Sequence, residues 1–322
     1  MDTNDSMQSR TDDSALSLNR RDLISSAIAV MAFGKTSLSQ AASATEEIID
    51  LHAHVISPDK QRYPVVPLGG QMSEFARERP QTFEEYVKQA DAAGVKKAAL
   101  VQVSTYYGID NSYLVDCIAR HHKRFIGVCS INTISDDNVK SLDGWVRRGM
   151  TGLRIFLLPG DDDLLLNPKA TPVWEYAAKK GITICISTRG SGVSQVPVLL
   201  KRYPTVKVVF DHTDFLKLEE GPPYANSQSF FEMAEFRNLY LKVTPTTFRS
   251  GQVGQSTTQS FIQKLVSVFG ADHMAFGSDL PSAPGPLTKI IADAREGMSG
   301  LSPADRRMIF SGTARHLYPS LA

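Results

Sequence analysis

Short apolar runs alternate with amphipathic segments along the chain from residue 48 onwards. Runs such as Ala98-Ala99-Leu100-Val101 are almost continuously apolar, which is typical of parallel strands covered on both faces. Segments with a helical period follow the runs, and several end at a glycine such as Gly94, Gly149 or Gly181. The alternation predicts strands at 48–55, 97–104, 125–132, 152–157, 182–188, 206–212, 239–244 and 273–280, and helices at 83–93, 113–122, 139–148, 173–180, 196–202, 230–237, 259–269, 286–295 and 303–316.

Eight strand-then-helix units in residues 48–322 match the size of a closed (β/α)8 barrel. An open doubly wound sheet would need a glycine-rich phosphate-binding turn after an early strand. The first predicted strand instead runs into His54-Val55-Ile56-Ser57-Pro58. We therefore predict the α/β class, with a single-domain (β/α)8 TIM barrel at 48–322.

Residues 1–47 have a different character and are predicted to lie outside the barrel. A polar start is followed by Arg20-Arg21, an apolar run at 23–34 and the sequence Ala42-Ser43-Ala44. These are the parts of an export signal, and the paired arginines resemble a twin-arginine signal. The apolar run is too short for a stable transmembrane helix. We expect cleavage after Ala44 and a periplasmic or secreted protein, the alternative being a disordered tail on a cytoplasmic one.

Composition narrows the range of partners. The 322 residues have a net charge of +1, and the basic residues are scattered, so no overall field favours nucleic acid or an anionic membrane. The three cysteines show no CxxC spacing, which argues against a disulfide framework or a zinc knot. A small-molecule substrate is the expected partner, and assembly into a homo-oligomer stays open.

Polar residues are concentrated at the ends of the predicted strands, where barrels of this kind hold their chemistry. In the first strand, side chains two residues apart share a face, so Asp50, His52 and His54 are predicted to line one face. Two imidazoles in a buried strand are costly unless something uses them. The remaining strand-end candidates are Ser104, Tyr106, Tyr107, Asn132, Arg154, Ser187, Thr188, Arg189, Asp211, His212, Thr244, Ser278 and Asp279.

Three of these stretches resemble the amidohydrolase-related family. They are Asp50-Leu-His52-Ala-His54, Phe210-Asp-His212 and Phe276-Gly-Ser-Asp279-Leu-Pro281. With Arg62-Tyr63-Pro64, the chain looks like the branch of 2-pyrone-4,6-dicarboxylate lactonases and sugar-lactone hydrolases. The resemblance implies a (β/α)8 barrel, with both histidines and the last-strand aspartate in the active site.

The chain departs from the family pattern at two strands. Ser187 stands where members usually have a fifth-strand histidine, and the fourth strand offers Arg154 rather than a lysine or glutamate that could bridge two metals. We therefore expect that no cofactor is required and that arginines hold an anionic substrate. The alternative is one divalent metal ion, with zinc the first candidate. Its ligands would be His52, His54 and Asp279.

The predicted function is hydrolysis of a lactone or related cyclic ester of an anionic or polyhydroxylated small molecule. Asp279 would act as general base, and His52 and His54 would polarise the carbonyl. His212 would orient the substrate or the base. The alternatives are a metal-dependent decarboxylase or hydratase on the same scaffold, and a non-catalytic exported binding protein. The predicted substrate-binding residues are Arg154, Arg189, Tyr106, Tyr107 and Ser187.

Overall fold

The computed structural model describes residues 46–188, 190–213 and 215–322. The predicted export signal and its cleavage point therefore lie outside the described residues. Within the described part of the chain, no helix is long and apolar enough to cross a membrane.

Eight parallel strands form a nearly closed barrel in which each strand pairs with the next along the chain. The ring is completed between the first and last strands, where Ala53 bridges Leu280 and the amide of His54 donates to the Leu280 carbonyl oxygen at 2.7 Å. This is the predicted (β/α)8 barrel. The strands are β1 (Ile49–Ala53), β2 (Lys97–Val101), β3 (Phe125–Cys129), β4 (Met150–Phe156), β5 (Thr183–Ser187), β6 (Val208–Asp211), β7 (Leu239–Val243) and β8 (Met274–Phe276).

Helices surround the barrel, and their ends follow local sequence signals. For example, the Thr82 hydroxyl accepts from the Glu85 amide at 3.2 Å while the Glu85 carboxylate accepts from the Thr82 amide at 2.8 Å. The α-helices are α1 (Glu74–Glu78), α2 (Phe83–Ala92), α3 (Ser104–Tyr107), α4 (Ser112–Arg120), α5 (Asn138–Arg147), α6 (Thr171–Lys180), α7 (Val196–Arg202), α8 (Gln228–Glu232), α9 (Pro245–Ser250), α10 (Thr258–Phe269), α11 (Leu287–Gly297), α12 (Pro303–Arg307) and α13 (Thr313–Leu317), with a π-helical turn at Met308–Gly312.

Three short helices, α1, α3 and α9, were not predicted. Two of them begin just after a strand, and Ser104, predicted as the end of a strand, is the first residue of α3. Each has six residues or fewer, which is too short for the apolar periodicity of a longer helix to show.

The C-terminal segment closes the amino-terminal end of the barrel. Leu317 and Tyr318 belong to the same apolar cluster as the strand residues Ile49, Val101 and Val209. A Cβ atom at Gly152 would lie 3.0 Å from the Tyr318 hydroxyl, so only glycine lets this ring approach β4 so closely. This end of the barrel is therefore filled by packed side chains of the C-terminal segment.

A β-bulge in β1 changes which side chains enter the barrel. Asp50 pairs with Ala98 and Ala53 pairs with Leu100, so three steps along β1 match two along β2. The Asp50 carboxyl accepts from the hydroxyl of Tyr86 in α2 at 2.8 Å, so it faces the helices. The prediction that Asp50 shares a face with His52 and His54 is therefore wrong, because the extra residue interrupts the strand's two-residue alternation.

Candidate active site

Two histidines of β1 and its following loop bring their Nε2 atoms together at the carboxyl end of the barrel. These atoms lie 3.2 Å apart, and the rings meet edge to face. Nδ1 of His54 lies 2.8 Å from the Val101 carbonyl oxygen, so that nitrogen donates and leaves the Nε2 lone pair facing His52. Burial lowers the pKa of His54 to about 3 and that of His52 well below its ordinary value, which favours the neutral form of both rings.

Asp279 completes this group from the loop after β8. Its Oδ1 atom lies 3.7 Å from Nε2 of His52 and 3.6 Å from Nε2 of His54. The residue adopts a left-handed backbone (φ 55°), and its amide donates to the His52 carbonyl oxygen at 2.6 Å. Burial raises the pKa of the Asp279 carboxyl, against the opposing effect of His212 and Arg154. The three side chains form the one group of histidine, cysteine or carboxylate ligands that could hold a metal ion in the described residues.

A buried ion network lies beside the histidine pair. Asp211, at the end of β6, has Oδ1 2.8 Å from Nζ of Lys242 and Oδ2 2.9 Å from Nε of Arg154. Burial by itself would raise the pKa of the Asp211 carboxyl, but the adjacent Lys242 charge holds it well below its ordinary value. The same pairing raises the pKa of Lys242 despite burial. The network touches His52, whose Nδ1 lies 3.2 Å from Lys242 Nζ and 3.6 Å from Asp211 Oδ1.

Arg154 and Ser187 are also brought together. Nη2 of Arg154 donates to the Ser187 hydroxyl at 3.0 Å, and Nη1 donates to the Gln102 carbonyl oxygen at 3.4 Å. A guanidinium group has five N–H donors, and three of them are used by Asp211, Ser187 and Gln102. Two donors are left for a ligand.

The ring of His212 also packs against that of His52, with ring centroids 5.0 Å apart. Its Nδ1 atom lies 2.7 Å from the hydroxyl of Thr244, which follows β7. The backbone of His212 is left-handed (φ 65°), a costly conformation for a residue with a Cβ atom. The turn therefore places the ring beside His52 at the expense of local strain.

The two predicted tyrosines make polar contacts with the segment that follows β1. The Tyr107 hydroxyl accepts from the Ser57 amide at 2.7 Å, and the Tyr106 carbonyl oxygen accepts from the Val66 amide at 2.9 Å. Arg189 lies outside the described residues. The substrate-binding roles of these three residues stay predictions.

Lys242 is a site residue that the strand-end pattern does not predict. It interrupts the apolar run Leu239-Tyr240-Leu241-Lys242-Val243, and its side chain is fully buried. A lysine inside such a run is itself a signal, because an unpaired buried ammonium group is very costly. The strand-end pattern predicts Asp211, but nothing in the sequence indicates that it pairs with this lysine.

The geometry of His52, His54 and Asp279 fits a divalent metal ion. Two nitrogens at zinc-ligand distance in a tetrahedral site are separated by about 3.3 Å, close to the 3.2 Å between the Nε2 atoms. Two imidazoles and a carboxylate, with room for a further ligand, are also the donor set of catalytic zinc sites. The fold and the site together define a (β/α)8-barrel protein with a group that could hold a metal ion at the carboxyl ends of its strands.

The chain belongs to the amidohydrolase family, whose model matches residues 49–320. This membership supports an enzyme. No curated protein sequence matches the chain significantly.

Several solved structures share the fold. One is described as a probable 2-pyrone-4,6-dicarboxylic acid hydrolase from Acinetobacter baumannii with citric acid bound; it is 18% identical over 85% of this chain and 99% of its own, with a TM-score of 0.67. An amidohydrolase from Burkholderia multivorans with bound zinc is 16% identical over 85% and 99%, with a TM-score of 0.68. A 2,6-dihydroxybenzoate decarboxylase complexed with 2,6-dihydroxybenzoate is 16% identical over 85% and 99%, with a TM-score of 0.57.

The expectation that no cofactor is required is wrong. It rested on the missing fifth-strand histidine and on the arginines nearby. The structure places three ligand-type side chains together without that histidine, and a protein of the same fold contains zinc. The positive charges of Arg154 and Lys242 are also engaged by Asp211, which reduces their repulsion of a cation.

Proposed function

We propose that this protein is a metal-dependent hydrolase that opens a lactone or related cyclic ester bearing a carboxylate group. The observation that supports this most directly is the position of Asp279, which faces both histidine Nε2 atoms at 3.6–3.7 Å in a buried pocket that also contains Arg154. A divalent ion held by His52, His54 and Asp279 would supply Lewis-acid polarisation of the ester carbonyl or of water.

Asp279 has the features of a general base. Its carboxyl group is almost fully buried and faces both histidines, which would place it beside the attacking water. It would remove a proton from the attacking water and later deliver it to the alkoxide oxygen that leaves when the ring opens. A single carboxyl group can perform both transfers because it takes up a proton in the first and gives up that proton in the second.

Arg154 is the proposed binding group for the substrate carboxylate. Its bonds to Asp211 and Ser187 fix the plane of the guanidinium, so the two unused N–H donors point in a set direction. A carboxylate is planar and can accept from two such fixed donors at once. The compact charge of an ammonium group does not offer this geometry.

His212 is proposed to orient the substrate. Its Nδ1 is engaged by Thr244, which holds the ring and leaves Nε2 as the nitrogen available to a ligand. This contact holds the imidazole ring of His212 in one orientation relative to the ring of His52.

The experiment is a hydrolysis panel on purified, zinc-loaded protein. The panel includes 2-pyrone-4,6-dicarboxylate, an aldonolactone and an uncharged δ-lactone, with ring opening followed by proton release. We expect turnover to favour the carboxylate-bearing lactone. Absence of hydrolysis across the panel, with the site fully loaded with zinc, would reject the proposal.

A decarboxylase is the second candidate, and the burial of Asp279 beside both histidines favours it. The Asp279 carboxyl would be placed to deliver a proton to the carbon that loses carbon dioxide. The structural likeness to 2,6-dihydroxybenzoate decarboxylase shows a shared fold only. Carbon dioxide release from hydroxybenzoates, measured on the same preparation, separates this candidate from the first.

A further inference from the structure

Strand β4 sends alternate side chains into the barrel. Gly152 lies on the inner face, beside the Tyr318 hydroxyl, and Arg154 points inwards on the same face, where it joins the buried ion network. From Gly152 to its end at Phe156, β4 pairs with β5 residue for residue, so no bulge interrupts the alternation. Phe156 therefore points into the barrel as well.

The ring of Phe156 lies between Arg154 and the entrance of the barrel. Phe156 is the last residue of β4, two residues or about 6.6 Å further towards the carboxyl end than Arg154. Cζ of Arg154 lies 5.0 Å from the centroid of the Phe156 ring, which is a cation–π distance. A ligand that enters at the carboxyl ends of the strands therefore meets this ring as it reaches the guanidinium group.

Phe156 is set apart from the packed core. Its neighbours Ile155 and Leu157 belong to the large apolar cluster between the barrel and the helices. The half-buried ring of Phe156 belongs to neither apolar cluster of the described residues. An aromatic ring in this position offers apolar surface to a bound molecule, because further burial of that surface is favourable.

Arg154 does not depend on Phe156 for its position. The guanidinium group is held by hydrogen bonds to three other residues, Asp211, Ser187 and Gln102. The ring of Phe156 therefore adds an apolar surface beside donors that are already fixed. A carboxylate bound to these donors would carry its carbon atoms back towards the entrance, along the ring.

We propose that Phe156 is a specificity-determining residue, whose ring contacts the carbon skeleton next to a carboxylate bound by Arg154. It selects a carboxylate on a flat apolar ring over one whose neighbouring carbons bear hydroxyl groups. Hydroxyl groups against the Phe156 ring would lose water without gaining a hydrogen-bond partner, which is costly. The inference deepens the proposed function and rests on it only in that Arg154 binds a carboxylate.

The test is the binding of benzoate and acetate to the zinc-loaded full chain, measured by ligand-observed NMR. Both are carboxylates, but benzoate has a flat apolar ring where acetate has a methyl group. In Phe156→Ala we expect benzoate to bind about tenfold more weakly, because one aromatic contact and its buried area are lost. The affinity for acetate should change by less than about threefold, because acetate is too small to cover the Phe156 ring.

Two further variants separate the aromatic contact from a general effect on the fold. Phe156→Tyr keeps the ring, so its affinity for benzoate should stay within about threefold of that of the unaltered protein. The matched control is Phe236→Ala, which removes a half-buried ring just before the start of β7, at the other end of the barrel. It should leave the affinities for benzoate and acetate unchanged.

Equal weakening of benzoate and acetate binding in Phe156→Ala would overturn the proposal, and so would an unchanged affinity for benzoate. If Phe156→Ala does not fold, the unaltered protein decides: nuclear Overhauser contacts between bound benzoate and the Phe156 ring are expected, and their absence would refute the contact.

The outcomes are distinct from those that test the proposed function. Benzoate and acetate are not hydrolysed, so their binding can show the preference even in a protein that opens no lactone. If a carboxylate-bearing lactone is hydrolysed, Phe156→Ala should raise its KM about tenfold and change kcat by less than about threefold, because the lost contact is made in the ground state and the transition state alike. An unchanged KM would refute the role of Phe156 and leave the hydrolase intact.

Discussion

The carboxyl of Asp50 accepts a hydrogen bond from the Ser278 hydroxyl at 2.6 Å and thereby joins the first strand of the barrel to the loop after the last. It also accepts from the Ser278 amide at 2.8 Å, the Tyr86 hydroxyl at 2.8 Å and the His52 amide at 3.1 Å. Asp279 follows Ser278 directly. The same carboxyl group thus fixes the closure of the barrel and the position of the candidate base relative to His52.

Asp50→Ala should destabilise the fold. The change leaves several buried donors without an acceptor, and each costs about 1–3 kcal/mol, so we expect a loss of about 3 kcal/mol or more in the free energy of unfolding. Urea unfolding measures it. Tyr86→Phe removes one donor together with its need for a partner and should cost only about 1 kcal/mol. Equal losses of unfolding free energy in Asp50→Ala and Tyr86→Phe would show that Asp50 does not hold the first strand to the loop after the last.

Asp279→Asn tests the proposed base. The amide keeps the shape of the side chain but cannot accept the proton, so turnover should fall by about 10²–10⁴-fold. The control is Asp293→Asn, a change at an exposed carboxylate of α11 that pairs with Lys289 at the surface. Near-normal turnover of the lactone in Asp279→Asn would remove this residue from the mechanism.

Metal removal should abolish activity. Dialysis against a strong chelator is expected to yield inactive protein, and one equivalent of zinc should restore turnover, because the proposed reaction needs Lewis-acid polarisation. Elemental analysis before and after dialysis measures the metal content of the protein. Full activity in metal-free protein would contradict the proposed mechanism.

Stability should fall in acid because of Asp211. Its pKa is held well below the ordinary carboxyl value of about 3.9, so its ionised form stabilises the folded state above that pH. This contribution is lost as the pH falls below about 3.9 and through the folded-state pKa. Unfolding free energies from pH 7 to pH 3 should therefore decline most steeply at the acid end. In Asp211→Asn, which is less stable throughout, the decline should be shallower; an unchanged slope would assign the acid sensitivity to other groups.

Export is a separate proposal that rests on residues 1–44. Arg20-Arg21, the apolar run and Ala42-Ser43-Ala44 lead us to expect a mature protein that begins near Thr45. N-terminal sequencing of protein from the native cell tests this. Replacing both arginines by lysine should trap the precursor inside the cell, and an intact N-terminus on mature, active protein would refute the proposal.

The barrel was predictable because its evidence is local. Each apolar run and each helical period lies within a few consecutive residues, and their regular alternation leaves few ways to bury both faces of every strand. The same reasoning located His52, His54 and Asp279, because residues at strand ends meet at one end of a barrel whatever the details of packing. Helices as short as α3 escaped prediction because so few residues show no period.

Other features were decided only by contacts between distant strands. Nothing in the stretch from Asp50 to His54 indicates that β1 gains a residue against β2, yet that bulge directs Asp50 towards Tyr86 and His52 into the barrel. Lys242 likewise becomes part of the site only because β7, β6 and β1 place its Nζ atom 2.8 Å from Asp211 Oδ1 and 3.2 Å from His52 Nδ1. The physical reason is that the chain's own period determines which residues are buried, whereas the register between strands determines which buried groups meet.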